Sequence, residues 1–311
     1  MSLLKNKIHI FDGGTGQTLL AKGLKPEGTL WSASALINKS YHGLVVETHL
    51  DFIDAGAELI VTNNFGVRKK RFIENNALEY LEYATLTAGK LAKKSKDLSN
   101  KSVLIAGSLP TQGNTYQAEI FESDQEIHQN FNDIAKILEP YVDLYYLDVL
   151  CSVKEIKIAL EAIKKFKKPA LVGLHFRKNG LLPSNENIGD VNKIIKNFNC
   201  CGLIAACVSP EIVELVLPDL QKQNLPYGFK VNAFENIPED FIIDPVSSSQ
   251  PNTVLGVRKY FNPNAFKSFV INTTKHGASL LGGCCEIKPK HIKSIKNITK
   301  ELKKKIYEII K

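Results

Sequence analysis

The feature that most constrains the fold is a regular alternation of eight short apolar segments with helical segments along the whole chain. Continuous apolar runs, without a polar residue at every second position, are typical of strands in a parallel sheet that is buried on both faces. Eight strand–helix units favour a single closed (β/α)8 barrel over an open doubly wound sheet. The predicted strands lie at 8–11, 58–64, 102–108, 143–150, 169–176, 201–207, 227–234 and 278–285.

Helical periodicity follows nearly every predicted strand. Pro289 suits the first turn of a last amphipathic helix, because the backbone N–H groups of that turn have no hydrogen-bond partner within the helix and proline lacks one. We find no internal repeat, low-complexity stretch or linker, so one domain over residues 1–311 is predicted. The other predicted helices lie at 41–55, 78–96, 126–141, 154–166, 191–198, 210–221 and 264–276.

The formal net charge of +8 comes from 40 basic and 32 acidic residues and is dispersed along the chain. The densest lysine runs, at 93–97 and 299–311, are predicted to be solvated faces of helices. No motif of a nucleic-acid-binding module is present, so no nucleic-acid partner is expected. No apolar run approaches the roughly 18 residues that span a bilayer, and the N-terminus lacks a signal-peptide pattern. We expect a cytoplasmic protein without a membrane partner, either a monomer or a small homo-oligomer.

Three of the six cysteines follow two strands that are near neighbours in the predicted barrel. Cys207 ends the sixth predicted strand, and Cys284 and Cys285 end the eighth. Because the carboxyl ends of barrel strands share one rim, the three thiols can converge on one ion. Three thiolates leave one tetrahedral position of Zn²⁺ open, which is the arrangement of a catalytic zinc site. The alternatives are three ordinary buried cysteines or a vicinal disulfide.

The remaining cysteines are not expected to take part in the chemistry. Cys200 and Cys201 begin the sixth strand and therefore lie at the opposite rim, and Cys151 lies just past the fourth strand. An even number of cysteines in a chain expected to be cytosolic does not indicate a disulfide framework.

Gly282 and Gly283 precede the adjacent cysteines Cys284 and Cys285 and should relax the backbone limits on a sharp turn there.

Several segments resemble one known family. The segment LLGGCCEIKPKHI (280–292) closely resembles the C-terminal signature of homocysteine S-methyltransferases, and AACVSPEIV (205–213) is similar to the segment around the third zinc ligand of that family. The resemblance covers essentially the whole chain. It implies that Cys207, Cys284 and Cys285 bind Zn²⁺ and that the enzyme transfers a methyl group to homocysteine, giving methionine. The other matching segments, in the family's order, are FDGGTGQTLLAKG (11–23), LWSASAL (30–36), HLDFIDAGAELIVTNNFG (49–66) and AGSLPT (106–111).

The same resemblance implies roles for acidic and amide side chains at other strand ends. Asp12 matches an aspartate that helps to hold the amino-acid substrate. Asp148 stands where the family usually has a glutamate that binds the amino group of homocysteine, so the charge is kept with one methylene less. Asn232 and Glu235 match a proline-asparagine-small-glycine-glutamate run, whose proline and glycine are replaced here by Val231 and Phe234.

Further substrate contacts are predicted from the residues themselves. Gly13, with Gly14, should let backbone amides approach a ligand. Ser108 and either Asn63 or Asn64 could donate hydrogen bonds to the substrate carboxylate.

A positively charged methyl donor is well held by aromatic faces, and Trp31, the single tryptophan, is the first candidate for that contact. Phe65, Tyr116 and Phe234 are further aromatic candidates, whereas His175 is predicted to be a core histidine.

The donor expected from the sequence is a small cation with a sulfonium group, either S-methylmethionine or S-adenosylmethionine. The chain ends soon after its eighth helix, without the C-terminal extension of the betaine-using branch and without a cobalamin-binding domain. Betaine or another small zwitterionic donor is the alternative. From other functional classes, a zinc storage module would not need an open fourth position, and a thiol oxidoreductase would predict C-x-x-C spacing, which is absent.

Overall fold

The computed structural model describes residues 3–5, 7–242 and 252–298, and within them one eight-stranded parallel sheet. Each strand pairs with its neighbour in the order β1-β8-β7-β6-β5-β4-β3-β2, and a parallel bridge between Phe11 and Leu59 joins the two ends. The predicted single (β/α)8 barrel is therefore confirmed. The strands are β1 (His9–Ile10), β2 (Leu59–Val61), β3 (Leu104–Pro110), β4 (Leu144–Leu150), β5 (Ala170–Leu174), β6 (Cys200–Ala206), β7 (Tyr227–Val231) and β8 (Leu280–Gly283).

The helices surround the sheet, and the seven helices predicted between strands are present, the one at 210–221 with the predicted ends and the other six with shifted ends. The last helix starts at Pro289 as expected and is described to residue 298, whereas the predicted lysine-rich face at 299–311 lies outside the described residues. No described helix is long and apolar enough to cross a membrane. The helices are α1 (Thr15–Ala21), α2 (Ser34–Ile37), α3 (His42–Ala55), α4 (Lys69–Glu74), α5 (Leu81–Ser99), α6 (Asp124–Leu138), α7 (Val153–Ile163), α8 (Ile188–Ile195), α9 (Pro210–Gln221), α10 (Pro263–Lys275) and α11 (289–298).

Local sequence signals set several helix ends. The Ser123 side chain accepts a hydrogen bond from the Glu126 backbone at the start of α6, and the Glu126 carboxylate accepts one back from Ser123, which forms a capping box. At the other end of a helix, Gly56 follows α3 with φ 116°, a left-handed conformation that glycine adopts without strain. The helices α1, α2 and α4 were not predicted, because four to seven residues are too few to show a helical period.

Alternate side chains of each strand enter two separate apolar layers. On β4, Leu144 and Tyr146 belong to the cluster that includes the barrel interior, whereas Tyr145 and Leu147 pack in the layer between the sheet and its helices. This period of two is the geometry of an extended strand. Both layers are apolar, which explains why the strands read as continuous hydrophobic runs.

The register of three neighbouring strands brings the metal-capable residues together. Ala206 on β6 pairs with Lys230 on β7, and Lys230 pairs with Gly282 on β8. Cys207 is therefore the residue after Ala206, and Cys284 comes two residues after Gly282. Strand β8 ends at Gly283, two residues before the predicted end, so that Cys284 and Cys285 lie in the turn after the strand.

Candidate active site

One cavity lies at the carboxyl-terminal rim of the barrel and brings together most of the side chains predicted to act in the site. This is the rim at which (β/α)8 enzymes place their chemistry. Of the predicted site residues, Asp12, Gly13, Trp31, Asn63, Asp148 and all three thiols line it. The other lining residues are Gly14, Thr15, Gly16, Gln17, Ser32, Val61, Thr62, Phe65, Tyr116, Val149 and Lys230.

The three thiols converge, as the strand ends predicted. The Sγ atoms of Cys207, Cys284 and Cys285 all lie within 4.8 Å of one another, with 3.8 Å between Cys207 and Cys285 and 3.9 Å between Cys284 and Cys285. A tetrahedral zinc ion with Zn–S bonds of about 2.3 Å separates its sulfur ligands by roughly 3.8 Å. The spacing and chemistry of this donor set therefore fit a thiolate-bound zinc ion.

Close backbone packing, and not an unusual glycine conformation, shapes the turn that carries the adjacent cysteines. Neither Gly282 nor Gly283 has a positive φ, which differs from the predicted role of these glycines. A Cβ on Gly282 would lie 2.4 Å from the Phe11 side chain, and a Cβ on Gly283 would lie 2.2 Å from Ile287. The left-handed residue of the turn is Glu286, with φ 64°.

Gly13 and Gly14 pack against the same cysteine turn. A Cβ on Gly13 would lie 2.1 Å from the Ile287 carbonyl oxygen, and one on Gly14 would lie 2.7 Å from the Cys284 carbonyl oxygen. The Gly14 N–H also donates to the Ile287 carbonyl at 2.8 Å. Besides lining the cavity, this glycine pair lets the first strand end approach the cysteine turn.

Cys207 is held by neighbours on two loops. The Asn232 side-chain amide donates to the Cys207 carbonyl at 2.7 Å, and the Tyr116 hydroxyl lies 3.2 Å from Cys207 Sγ. Burial raises the pKa of the Cys207 thiol, but hydrogen bonds from Cys284, Cys285 and Tyr116 outweigh it and leave the pKa well below the usual value. Cys207 also has φ 53°, a conformation rare for residues other than glycine and typical of functional sites.

Asp148 is buried beside the thiols and has one oxygen already engaged. The Ser108 hydroxyl donates to Asp148 Oδ2 at 2.8 Å, so Ser108 lies behind the carboxylate and not on the cavity wall. Burial raises the pKa of Asp148 to about 7, although the Ser108 hydrogen bond and the charge of Lys230 oppose this rise. The next residue, Val149, has φ 63°, which is strained for a β-branched side chain.

Lys230, which the sequence reasoning missed, forms a buried ion pair with Asp12. The side chains of Lys230 and Asp12 are 6% and 1% exposed. The second Asp12 oxygen accepts a hydrogen bond from the Val61 backbone at 2.8 Å. The sequence contained one signal for this ion pair, a lysine within the apolar strand YGFKV, because a buried charge without a partner is costly.

The two asparagine candidates separate. Asn63 lines the cavity, and its side-chain amide donates to the Ser32 carbonyl at 3.3 Å. Asn64 lies deeper, where its amide donates to the Ser108 carbonyl at 2.9 Å. Asn63 is therefore the one that can reach a ligand.

Aromatic side chains form part of the cavity wall. Trp31, at φ 51°, is 8% exposed and packs on Gly16, and its indole N–H has no hydrogen-bond partner among the described residues. Phe65 and Tyr116 also line the cavity.

A second cavity of about 370 Å³ lies on the far side of Tyr116 and contains the remaining candidates. Asn232, Glu235 and Phe234 line it, and Glu235 is exposed there rather than beside the thiols. His175 also lines it, with its ring centroid 4.6 Å from that of Tyr116. Burial lowers the pKa of His175 to about 4, so this histidine is neutral at physiological pH.

The sequence model of the homocysteine S-methyltransferase family matches residues 9–299. The chain belongs to this family. It is 23% identical to homocysteine S-methyltransferase 2 of Saccharomyces cerevisiae over 95% of both chains. It is 26% identical to the selenocysteine methyltransferase of Astragalus bisulcatus, covering 93% of this chain and 91% of that one.

The family's fold is shared as well. The crystal structure of the metallated homocysteine methyltransferase MmuM from Escherichia coli superposes with a TM-score of 0.77 at 21% identity, covering 94% of this chain and 97% of that chain. Membership makes this protein a methyltransferase that acts on homocysteine. The roles assigned above to individual side chains remain predictions.

Proposed function

We propose that this enzyme moves a methyl group from a sulfonium donor, S-methylmethionine or S-adenosylmethionine, to the thiol of homocysteine, using Zn²⁺ bound by Cys207, Cys284 and Cys285. The convergence of the three thiols within 4.8 Å, on the wall of a cavity that also contains a buried carboxylate, carries this proposal. The metallated form of the Escherichia coli relative supports a metal site in the family.

The chain supplies the zinc ligands and fixes their positions. When bound, a zinc ion with three thiolate ligands lowers the pKa of a thiol in its fourth position, which keeps the acceptor nucleophilic at neutral pH. The Asn232 amide holds the backbone of Cys207, and the turn packed against Gly13 and Gly14 holds the other two ligands.

The acceptor is oriented by the carboxylate of Asp148. Ser108 fixes one Asp148 oxygen and leaves the other for the ammonium group of homocysteine. Because the side chain is buried, this contact is made with little competition from water, which strengthens it. Binding the amino group there places the thiol end of the substrate toward the cysteines.

The donor would lie against the aromatic part of the wall, where Trp31 and Phe65 line the cavity and an aromatic ring can hold a cation. The homocysteine sulfur attacks the methyl carbon as the donor's carbon–sulfur bond breaks, so the donor leaves as a neutral thioether and the thiol proton goes to solvent. A thioether leaves more readily than the tertiary amine that betaine would release, which favours the sulfonium donor. The barrel contributes positioning and exclusion of water.

Metal analysis with matched cysteine variants tests the proposal. We expect one zinc per chain in the wild type, and loss of most zinc and of activity in Cys207→Ala, Cys284→Ala and Cys285→Ala. Cys200→Ala is the matched control, since Cys200 begins the strand that Cys207 follows and lies at the opposite rim. Full zinc retention in the Cys284→Ala and Cys285→Ala variants would show that the ligands are misassigned.

The donor is identified by offering zinc-loaded enzyme homocysteine with S-methylmethionine, S-adenosylmethionine or betaine and measuring methionine by mass spectrometry. We expect methionine with at least one sulfonium donor and none with betaine. Methionine formation with betaine alone would establish the alternative donor.

A further inference from the structure

Lys230 is the single positively charged side chain among the described residues that line the active-site cavity. It lies between Ala206 and Gly282 on the neighbouring strands. Cys207 directly follows Ala206, and Cys284 comes two residues after Gly282. Its side chain is 6% exposed. A buried lysine needs a partner of opposite charge, and a lysine that also faces a cavity can share its charge with a ligand.

The known contacts of Lys230 leave donor capacity unused. Its ammonium group donates to the Asp12 carboxylate, and the Asp12 carbonyl oxygen is 3.5 Å away, at the limit of a hydrogen bond. An ammonium group has three N–H donors. A third contact is to the ring of Phe11, whose centroid is 5.7 Å from Nζ, and this contact uses no hydrogen bond.

The charge of Lys230 reaches the places where an amino-acid substrate would bind. Burial raises the pKa of Asp148, and Lys230 opposes that rise. The lysine therefore acts on the proposed ammonium site.

The charges of an amino acid favour such a group. A substrate bound through its ammonium at Asp148 carries an α-carboxylate two bonds further on, and a nearby cation offsets the cost of burying that carboxylate. Asp12 cannot serve the ammonium as freely as Asp148 can, because Lys230 and the Val61 N–H already occupy its two oxygens.

We propose that Lys230 is a substrate-binding residue whose ammonium group pairs with the α-carboxylate of homocysteine while it neutralises Asp12, leaving Asp148 to bind the substrate ammonium. This assignment rests on the proposed function, since it requires homocysteine in this cavity. It gives Asp12 the role of holding Lys230 in place.

Three small thiol ligands test the two charges of the substrate one at a time. They are homocysteine, 3-aminopropane-1-thiol, which lacks the carboxylate, and 4-mercaptobutanoate, which lacks the ammonium. Their affinities for the zinc-loaded full chain are measured by calorimetry. We expect Lys230→Gln to weaken homocysteine and 4-mercaptobutanoate by about 10- to 150-fold and to leave 3-aminopropane-1-thiol unchanged. The matched control is Lys222→Gln, at a lysine whose side chain is 70% exposed.

Equal weakening of all three thiols in Lys230→Gln would overturn the proposal and reduce Lys230 to a structural counter-ion of Asp12. Because this variant leaves the buried Asp12 unpaired, a second variant, Asp12→Asn with Lys230→Gln, removes both charges and keeps hydrogen-bonding groups. Retained binding of 3-aminopropane-1-thiol with loss of homocysteine binding in this double variant would support the proposal. Wild-type affinity for homocysteine in the folded double variant would refute it.

Methyl transfer and the role of Lys230 are tested by different measurements, the formation of methionine and the affinities of the three thiol ligands. If wild type binds homocysteine but forms no methionine with any donor, the methyl-transfer proposal fails while the affinities still decide the role of Lys230. If wild type binds none of the three thiols, both proposals fail.

Discussion

Replacing Asp148 by asparagine should weaken homocysteine binding in a way that depends on pH. The substitution keeps the shape of the side chain and an oxygen that accepts the Ser108 hydroxyl, so the barrel should fold unchanged. It removes the charge that we assign to the substrate ammonium. A hydrogen bond to a charged partner contributes about 1.5–3 kcal/mol, which corresponds to a loss of about 10- to 150-fold in affinity.

The pKa of Asp148 makes this loss larger at high pH. Burial raises that pKa to about 7, so the carboxylate is largely ionised at pH 8 and largely protonated at pH 6. A protonated carboxyl and an asparagine amide are both neutral, so wild type loses its advantage as the pH falls through about 7. The ionised fraction drops roughly tenfold between pH 8 and pH 6, and the ratio of the two dissociation constants should fall by about the same factor.

Isothermal titration calorimetry of homocysteine with zinc-loaded wild type and Asp148→Asn at both pH values gives this ratio. Taking the ratio cancels the protonation of the substrate itself. As a control, 4-mercaptobutanoate should bind both proteins alike. Equal affinity of the two proteins for homocysteine at pH 8 would remove Asp148 from the site. A large ratio that does not change with pH would instead refute the raised pKa.

Two further outcomes are expected. Trp31→Ala should raise the KM for the sulfonium donor by about 2- to 30-fold, the value of a cation–π contact, and leave the homocysteine dissociation constant unchanged; an unchanged donor KM would assign Trp31 to packing alone. Phe131→Ala should lower the free energy of unfolding by about 3–5 kcal/mol, since Phe131 is fully buried in the layer between sheet and helices. The matched change Phe121→Ala, at a side chain that is 71% exposed, should stay within about 0.5 kcal/mol in urea unfolding, and equal losses in the two variants would contradict this account of the core.

The sequence was sufficient for the barrel and for the thiol cluster. Buried parallel strands must be apolar on both faces, so their positions appear directly as runs of apolar residues, and the order of strands in a closed barrel follows the order in the chain. Cys207 and Cys284 follow strands that such a barrel places close together, which made their convergence predictable. The short helices α1, α2 and α4 left no periodic signal and were missed.

Only the tertiary structure determined which polar side chains line the cavity and which lie behind it. Asn63 and Asn64 are adjacent in the chain, and the barrel alone turns one into the cavity and the other behind it. Ser108 was predicted to contact the substrate, yet the neighbouring strand places its hydroxyl against Asp148.

The same holds for the contacts across the rim. The glycines before the cysteines are needed for close approach, Gly282 to Phe11, which is remote in sequence, and Gly283 to Ile287 across the cysteine turn, and not for the φ angles that the local sequence suggested. The ion pair between Asp12 and Lys230 joins residues 218 positions apart. Strand patterns report which side chains are buried, but the partner of a buried charge depends on how the barrel closes, and that information lies in the fold as a whole.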